Sequence, residues 1–427
     1  MSRATPTENA VWGTSVDHND LLNHIHQIGP GIEANAEKDE LAGELTSESF
    51  TLLSQLGLSH AIVPESLGGL QLSPTKVMAL VEAITWYSGA AGWVSMVHAS
   101  IGGMTAAFLP DSAVKRLFAP GTNNRFSGQG APLGMLRKVE GGYRMTGKWS
   151  YGSGFSHATY SHSAAFVDDG TGKPLTDESG AAVVLCAHAP VSEHKQLSGW
   201  DVLGLKATGS IDYAAEDIFV PDDMVFPIQT ATPLRQKAFF SLGVIGIAAM
   251  GHTAWAMGAA RRLLHEIATL ACARTGRPGA QGDSEKFWFE YGRAEARVRA
   301  ARALALETWR EIEASVEAGQ RISTRQLTLV HLAKSEVHEA AEVTAQFAYR
   351  AGGGASLRNG TIQRCVRDIM VALNHITNSP MVTTAAGREL GNQWSDRVWR
   401  YYDLVENAAK NSEANTAATH PQTCKEQ

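Results

Sequence analysis

Apolar positions recur along this chain in two rhythms, and the rhythm changes twice. From about Leu21 to Phe118 the spacing is helical. Ser73 followed by Pro74 reads as an N-cap with proline at the first helical position, opening a helix over Lys76–Trp86. Ala90–Phe108 is rich in small and apolar residues with His98 in its middle, and Pro110–Asp111 opens a shorter helix towards Phe118. After Pro120 the period falls to two: Tyr143, Met145, Gly147 and Trp149 alternate with Arg144, Thr146, Lys148 and Ser150. Tyr160–Val167, Ala181–His188 and Ala214–Val220 read as strands in the same way. From about Gln236 helices return, with long ones over Arg293–Val316 and Thr328–Arg350, a stop at Gly352-Gly353-Gly354, and a further helix over Thr361–Ile376. The pattern predicts an α+β chain: a helical domain over 1–119, a β domain over 120–232, a helical domain over 233–409 and a disordered polar tail over 410–427.

Composition narrows the function classes. The net charge is −6 and no basic block stands against it, so no nucleic-acid partner is expected. Cys186, Cys272, Cys365 and Cys424 are far apart, without a CxxC or a Cys/His ligand spacing. That argues for free thiols in a reducing cytoplasm and for no metal site. Glu8, Asp17 and Asp20 and the lack of an apolar run near the start argue against a signal peptide. Phe239–Ala260 carries no charge and is long enough to cross a bilayer, but Ser241, His252, Thr253 and its glycines dilute it. It reads as a helix buried in a large or oligomeric core, not as a membrane span.

Specific strings then add to the pattern. Trp200-Asp-Val-Leu-Gly204-Leu-Lys-Ala-Thr208-Gly209-Ser210, followed by Val220-Pro221, resembles the middle β domain of acyl-CoA dehydrogenases. Gly352-Gly353, Gln363-Arg364 and Arg367-Asp368 resemble the C-terminal helical signature of the same superfamily. The resemblance runs from about residue 20 to 400 and implies the acyl-CoA dehydrogenase fold: N-terminal helices, a middle β-barrel or sandwich, and a C-terminal four-helix bundle. Gly147-Lys-Trp149-Ser-Tyr-Gly-Ser153-Gly154-Phe-Ser-His157-Ala158 is similar to an element of the two-component flavin monooxygenases, whose members include hydroxyphenylacetate, hydroxysteroid and dibenzothiophene oxygenases.

The residues separate two chemistries. Desaturating a thioester needs a carboxylate base held against the substrate. Where the resemblance implies that base, the chain reads Ile369-Met-Val-Ala-Leu-Asn374-His375-Ile376-Thr377, with no acid before Glu389, and the second family position aligns with Gln236. Oxygen activation by reduced flavin needs instead a dry pocket, a hydrogen-bonding group near flavin N5 and neutral imidazole. The resemblance implies Ser153 for the N5 contact, His375 beside the activated oxygen and His98 to orient or deprotonate substrate. It implies a C4a-hydroperoxide as the oxidant and an aromatic or heteroaromatic small molecule as substrate. Read without it, Ser153 is a residue of a Gly-Ser-Gly turn, His375 a core histidine, and His157 a structural partner of the strand carrying Ser153. An acyl-CoA dehydrogenase with a displaced base and a non-catalytic flavin-binding member stay open as alternatives.

For the cofactor, Phe126-Ser127-Gly128 and Ala131-Pro132-Leu133-Gly134 resemble the loop lining the isoalloxazine, with Thr208 and Ser210 flanking the ring. Arg274 matches an arginine that reaches the flavin phosphate, a task suited to guanidinium although a solvated surface arginine reads the same. Gly352 and Gly353 would let backbone approach phosphate, or only cap a helix. Trp93, His98 and Trp200 are candidates for the substrate pocket. No GxGxxG is evident, so the flavin is expected to arrive reduced, as FMNH2 or FADH2, from a separate NAD(P)H-dependent reductase, with O2 as cosubstrate. The family habit implies a homotetramer.

Overall fold

The computed structural model describes residues 17–406 except 179, 229–231, 277, 393–396 and 401–402. The expected tail over 410–427 lies outside them. Five helices come first: α1 His18–Ala42, α2 Ser47–Ser54, α3 Pro74–Tyr87, α4 Gly89–Phe108 and α5 Asp111–Leu117. Seven strands follow: β1 Phe126–Val139, β2 Gly142–Gly152, β3 Tyr160–Val167, β4 Val184–Ala187, β5 Lys195–Ser198, β6 Ile211–Pro221 and β7 Val225–Pro227. Helices then return as α6 Lys237–Phe240, α7 Gly243–Cys272, α8 Glu285–Glu317, α9 Thr324–Gly352, α10 Gly354–Leu357, α11 Thr361–Ala372 and α12 Pro380–Leu390. A ribbon of β8 Arg397–Arg400 and β9 Asp403–Glu406 ends the described chain.

The strands form one seven-stranded sheet in the order β5-β6-β2-β1-β3-β4-β7, antiparallel except where β1 and β3 run parallel. The stretch expected as a flavin-lining loop lies inside β1. Its β1–β3 register is broken between Gln129 and Gly134, so Gly130–Leu133 form an irregular segment of that strand. The spacing of the strands alone had not marked β1, because its first half is Gly-, Ser- and Pro-rich.

Helices α7, α8, α9 and α11 pack on one another, and α3 lies along α7. The uncharged stretch runs from the end of α6 into α7 and is almost wholly buried from Gly246 to Ala260; among the described residues no helix is long and apolar enough to cross a membrane. Ser73 stands at the N-cap of α3 but its side chain makes no cap bond. Glu313 of α8 does that work instead, accepting from the Thr75 backbone N–H and from Thr75 Oγ1, both at 2.7 Å. Glu82, 5% exposed on α3, receives Arg261 of α7 at 2.5 Å and two bonds from Arg302 of α8 at 3.0 Å. Helix α4 runs between this bundle and the sheet, buried along nearly its whole length, and carries Trp93 and His98.

Candidate active site

After β2 the chain turns at Ser153-Gly154, and the turn is clamped from three sides. Ser127 Oγ of β1 donates to the Ser153 carbonyl at 2.6 Å. The Gly154 N–H donates to the Thr208 carbonyl at 2.7 Å. His98 Nε2 lies 3.2 Å from the Gly154 carbonyl, and because a carbonyl only accepts, the imidazole carries its proton at Nε2. Gly154 has φ +69°, and a Cβ there would meet His98 Nε2 at 2.9 Å and Val94 Cγ1 at 2.8 Å, so only glycine permits this approach. Gly128, at φ +153°, lets β1 lie against β3 where a Cβ would sit 2.2 Å from the His162 carbonyl oxygen.

The hydroxyls of this turn form an oriented chain. Thr208 Oγ1 donates to the Leu205 carbonyl at 2.8 Å. It can then only accept from Ser210 Oγ at 2.6 Å, which in turn accepts from Ser153 Oγ at 2.7 Å. Trp93 Nε1–H donates to Ser153 Oγ at 3.1 Å. Ser153 Oγ thus gives its proton inward and receives the indole N–H, and one lone pair remains. All of these side chains are less than a tenth exposed. That residual acceptor fits a ring N–H such as N5 of reduced flavin, and fits oxidised flavin, whose N5 only accepts, less well.

Trp93 ties the turn to the bundle. Its ring meets the edges of His252 of α7 at 4.9 Å and His375 at 5.8 Å, and His252 and His375 lie 4.2 Å apart between ring centroids. His375 follows α11 and N-caps the turn Ile376–Asn378: its Nδ1 accepts the Thr377 N–H at 3.3 Å, so its proton sits at Nε2. Burial first, then the neighbouring Lys334, lowers its pKa to about 4. Burial likewise lowers His98 to about 3, and His252 well below the ordinary histidine value. The imidazoles are therefore neutral near pH 7. Among the described residues, none of the hydrogen bonds or ring contacts of Trp93, His98, Ser153, His252 or His375 goes to a carboxylate.

The structure thus brings Trp93, His98, Ser127, Ser153, Thr208, Ser210 and His375 together, with Phe126 adjoining Ser127 at the start of β1. It does not bring Arg274, Gly352 and Gly353 to them. Arg274 is exposed just beyond α7, and a Cβ on Gly352 would come within 3.5 Å of Ile267. At 1.5 Å per residue, Ile267 lies about 22 Å along α7 from His252. A Cβ on Gly352 would also stand 2.0 Å from Ser356 Oγ, which bonds the Ala348 carbonyl and helps to end α9. Trp200 is placed on the outside of the 205–208 turn: its Nε1–H donates to the Leu205 carbonyl at 2.9 Å and its ring meets the exposed Tyr151. His157 bonds the Leu45 carbonyl and stacks on Phe50, the structural role its position implied.

Sequence reasoning missed several members. Gln236, aligned with the second base position, opens α6 with left-handed backbone, whereas the side chain the bundle sets against His375 is His252. Asp368 of α11, 4% exposed, accepts the Leu205 N–H at 2.6 Å. Arg367 beside it donates to the Leu203 carbonyl and pairs with Glu40, so α11 holds the turn that carries Thr208 and Ser210. The fold also gathers His162, Cys186 and His188 with ligand atoms within 4.8 Å, a grouping invisible in the linear spacing. There the His188 Nδ1–H donates to the Met224 carbonyl, leaving Nε2 to accept from His162 Nδ1 at 3.1 Å.

Comparison with known proteins places this geometry. Residues 27–123 match the acyl-CoA dehydrogenase N-terminal domain and residues 250–380 the acyl-CoA dehydrogenase C-terminal domain. The chain is 28% identical over 325 residues to an indole-3-acetate monooxygenase of Pseudomonas putida, covering 75% of this chain and 80% of that one. It is 27% identical over 219 residues to the oxygenase component of an FADH2-dependent resorcinol hydroxylase of a Rhizobium species, covering 50% and 51%. Its fold matches that of XiaF from a Streptomyces species, solved with FADH2 and glycerol, at a TM-score of 0.80, with 20% identity over 91% of this chain and 98% of that one. The chain belongs to the acyl-CoA dehydrogenase family, and within it to the flavin-dependent monooxygenases.

Proposed function

We propose that this monooxygenase is the oxygenase component of a two-component system. It takes FMNH2 or FADH2 from a separate NAD(P)H-dependent reductase and transfers one oxygen atom of O2 to an aromatic or heteroaromatic small molecule. The observation that carries this reading is the oriented hydroxyl chain that leaves Ser153 Oγ an acceptor, joined through Gly154 and Trp93 to two neutral imidazoles, with no carboxylate bonded to any of them among the described residues. Bound reduced flavin supplies the activation of O2. In this reading Ser153 holds the N5 proton, and Phe126, Ser127, Gly128, Thr208 and Ser210 border the ring. Arg274, Gly352 and Gly353 serve the phosphate end.

His375, with Nδ1 occupied by the Thr377 N–H, offers its Nε2 proton towards the reacting oxygen. His98, whose Nε2–H is committed to Gly154, keeps Nδ1 to accept a hydrogen bond that orients the substrate. Trp93 keeps Ser153 in place and forms a pocket wall, and Trp200 acts through the Leu205 turn. The organisation into 1–119, 120–232 and 233–409 and a homotetrameric assembly belong to the same proposal. Exposed Phe289, Tyr349, Leu357 and Met381 on the C-terminal helices supply apolar surface for such contacts. The free thiols of Cys186, Cys272 and Cys365 suit a reducing cytoplasm.

The test is anaerobic mixing with FMNH2 or FADH2, then ¹⁸O2, with product and hydrogen peroxide both quantified against a panel of aromatics. Label in a hydroxylated product supports the reading. Stoichiometric peroxide without product across the panel, together with oxidation of an acyl-CoA thioester, would replace it with a dehydrogenase.

A further inference from the structure

The sheet holds one cluster of chemically able side chains that the flavin site does not use. Across the antiparallel β3–β4 ladder Ala164 pairs with Cys186 and Ser163 with Ala187, so His162 and His188 stand at the next rung. The period of two puts Cys186 and His188 on one face. The donor atoms of His162, Cys186 and His188 all lie within 4.8 Å of one another, and none of the three residues is more than 2% exposed.

Hydrogen bonding leaves this cluster short of protons. His188 spends its Nδ1–H on the Met224 carbonyl at 3.2 Å, so its Nε2 is a bare lone pair. Thr105 Oγ1 of α4 stands 3.1 Å from that nitrogen, yet its own proton goes to the Ile101 carbonyl at 2.9 Å. The Nδ1–H of His162, at 3.1 Å, is the one donor left for both. The Cys186 thiol is free and buried, and no hydrogen bond to it forms among the described residues.

Two imidazole nitrogens and a sulfur converging in this way are a metal-ligand set, and the His188 Nδ1–H bond to a backbone carbonyl is the outer contact that aims a ligating Nε2. Burial lowers the His188 pKa to about 4 and that of His162 well below the ordinary value, so both are neutral ligands near pH 7. Burial pushes the Cys186 thiol well up, so a thiolate is stable there only against a cation.

Charge then decides which cation. Among the described residues no carboxylate bonds to His162, Cys186 or His188. A monovalent ion with one thiolate and two neutral imidazoles is uncharged, whereas a divalent ion leaves a net positive charge buried. The Phe226 ring lies 5.9 Å from that of His162 and 5.7 Å from that of His188, and Phe126 lies 6.2 Å from His188. This apolar shell suits an ion that needs no water, and closed zinc sites take a fourth ligand.

We propose that His162 Nδ1, Cys186 Sγ and His188 Nε2 form a three-coordinate site for copper(I). On binding, the S–H bond breaks and a Cu–S bond forms, with the proton released to solvent. His162 moves its own proton from Nδ1 to Nε2, and the copper stays in the monovalent state throughout. Metal–ligand bonds of about 2.0–2.3 Å set trigonal donors about 3.5 Å apart, so the site closes by side-chain shifts of about 1 Å. An enclosed ion of this kind enters as the strands fold together, not through a channel, and ties β3 to β4.

The experiment takes the full chain from cells grown with added copper, purified anaerobically with reductant, and challenges it with the Cu(I) chelator bicinchoninate. Wild type is expected to keep about one copper per chain, and Cys186→Ser and His188→Ala at least about tenfold less. Cys272→Ser, which removes an exposed thiol, should keep as much as wild type. X-ray absorption at the copper edge needs no variant and should show one sulfur and two nitrogens around a monovalent ion. Loss of all copper from wild type, retention by a folded Cys186→Ser, or a first shell with two sulfurs overturns the site. Equal retention of zinc when both metals are supplied overturns the choice of copper. None of these outcomes bears on the flavin chemistry, which the experiment does not read.

Discussion

The indole Nε1–H of Trp93 donates to Ser153 Oγ at 3.1 Å, joining the buried helix α4 to the turn after β2. The direction of the chain is set at its far end: Thr208 donates to the Leu205 carbonyl, so Ser210 donates to Thr208 and Ser153 to Ser210, and the Trp93 N–H fills one of the two lone pairs left on Ser153 Oγ. An aromatic of the bundle side therefore sets how many acceptor sites Ser153 Oγ still offers.

Trp93→Phe keeps the ring packing and deletes only the donor. Ser153 Oγ then keeps two open lone pairs and loses the donor that positions it, so the acceptor facing the flavin is no longer held in one place. The expected outcome is a folded protein whose flavin affinity changes by no more than about fivefold, the equivalent of a neutral hydrogen bond of about 1 kcal/mol. Product formed per reduced flavin consumed should drop by on the order of tenfold, with peroxide making up the difference. Ser153→Ala should resemble it. Unchanged coupling in both variants would remove the hydroxyl chain from the chemistry.

Acid should unfold this protein early. His98, His331 and His338 have folded pKa values of about 3, and His188 and His375 of about 4, all lowered chiefly by burial. The unfolded chain, with values near 6.5, binds the extra protons, so stability is fully present above about pH 6.5 and is lost as pH falls towards 4. Lys334, lowered to about 7 by burial, acts in the same direction over the alkaline range, with stability rising from about pH 7 to 10. Denaturant midpoints measured from pH 8 to pH 5 should fall steeply, and His338→Leu should flatten the slope by up to about 1.4 kcal/mol per pH unit. A flat profile in wild type would mean that these imidazoles are hydrated.

Glu82 joins three helices, and its two arginines do not share its burial: Arg261 and Arg302 are 47% and 36% exposed against 6% for the carboxylate side chain. Removing the acid therefore leaves cations that water can solvate, whereas removing both arginines leaves a buried anion. Glu82→Gln should cost about 1–2 kcal/mol and the Arg261→Ala/Arg302→Ala pair about 3 or more, read as shifts in urea midpoint. The reverse order would place the cost in the arginine stems packing on α3.

How much of this could be read before folding differs by residue. Ser153 and His375 stand in local strings that make them candidates, and the alternation around Trp149 marks β2 without help. The supporting residues are different. His252 and His375 are 123 positions apart and meet only because α7 and α11 pack. Glu313 displaces Ser73 as the cap of α3 from 238 residues away. Lys334 reads as one more polar residue in a helical rhythm, and nothing linear distinguishes a buried lysine from a solvated one. Trp200, a pocket candidate as an aromatic, is held by a bond to the Leu205 carbonyl and meets the exposed Tyr151, contacts that only folding reveals.

Asp368 offers the sharpest test of how the bundle controls the sheet. Its carboxylate accepts the Leu205 N–H at 2.6 Å, and Leu205 begins the turn whose Thr208 and Ser210 complete the hydroxyl chain. Burial raises its pKa to about 6, against the pull of the Leu205 N–H. A carboxyl whose folded pKa lies above its unfolded value binds its proton more tightly when folded, so it favours the fold at low pH, and that contribution is lost as pH rises from about 4 to 6. This runs opposite to the histidines and partly masks their slope. Asp368→Asn keeps an acceptor for the Leu205 N–H and removes the titration: it should unmask a steeper loss on acidification below pH 6 while leaving coupling nearly intact. Asp368→Ala leaves that N–H unmet and frees the turn, and should cut coupling as Ser153→Ala does although it touches neither flavin nor substrate. If Asp368→Ala stays fully coupled, the turn holds its shape without α11, and the Arg367–Asp368 pair serves only to fasten the helices together.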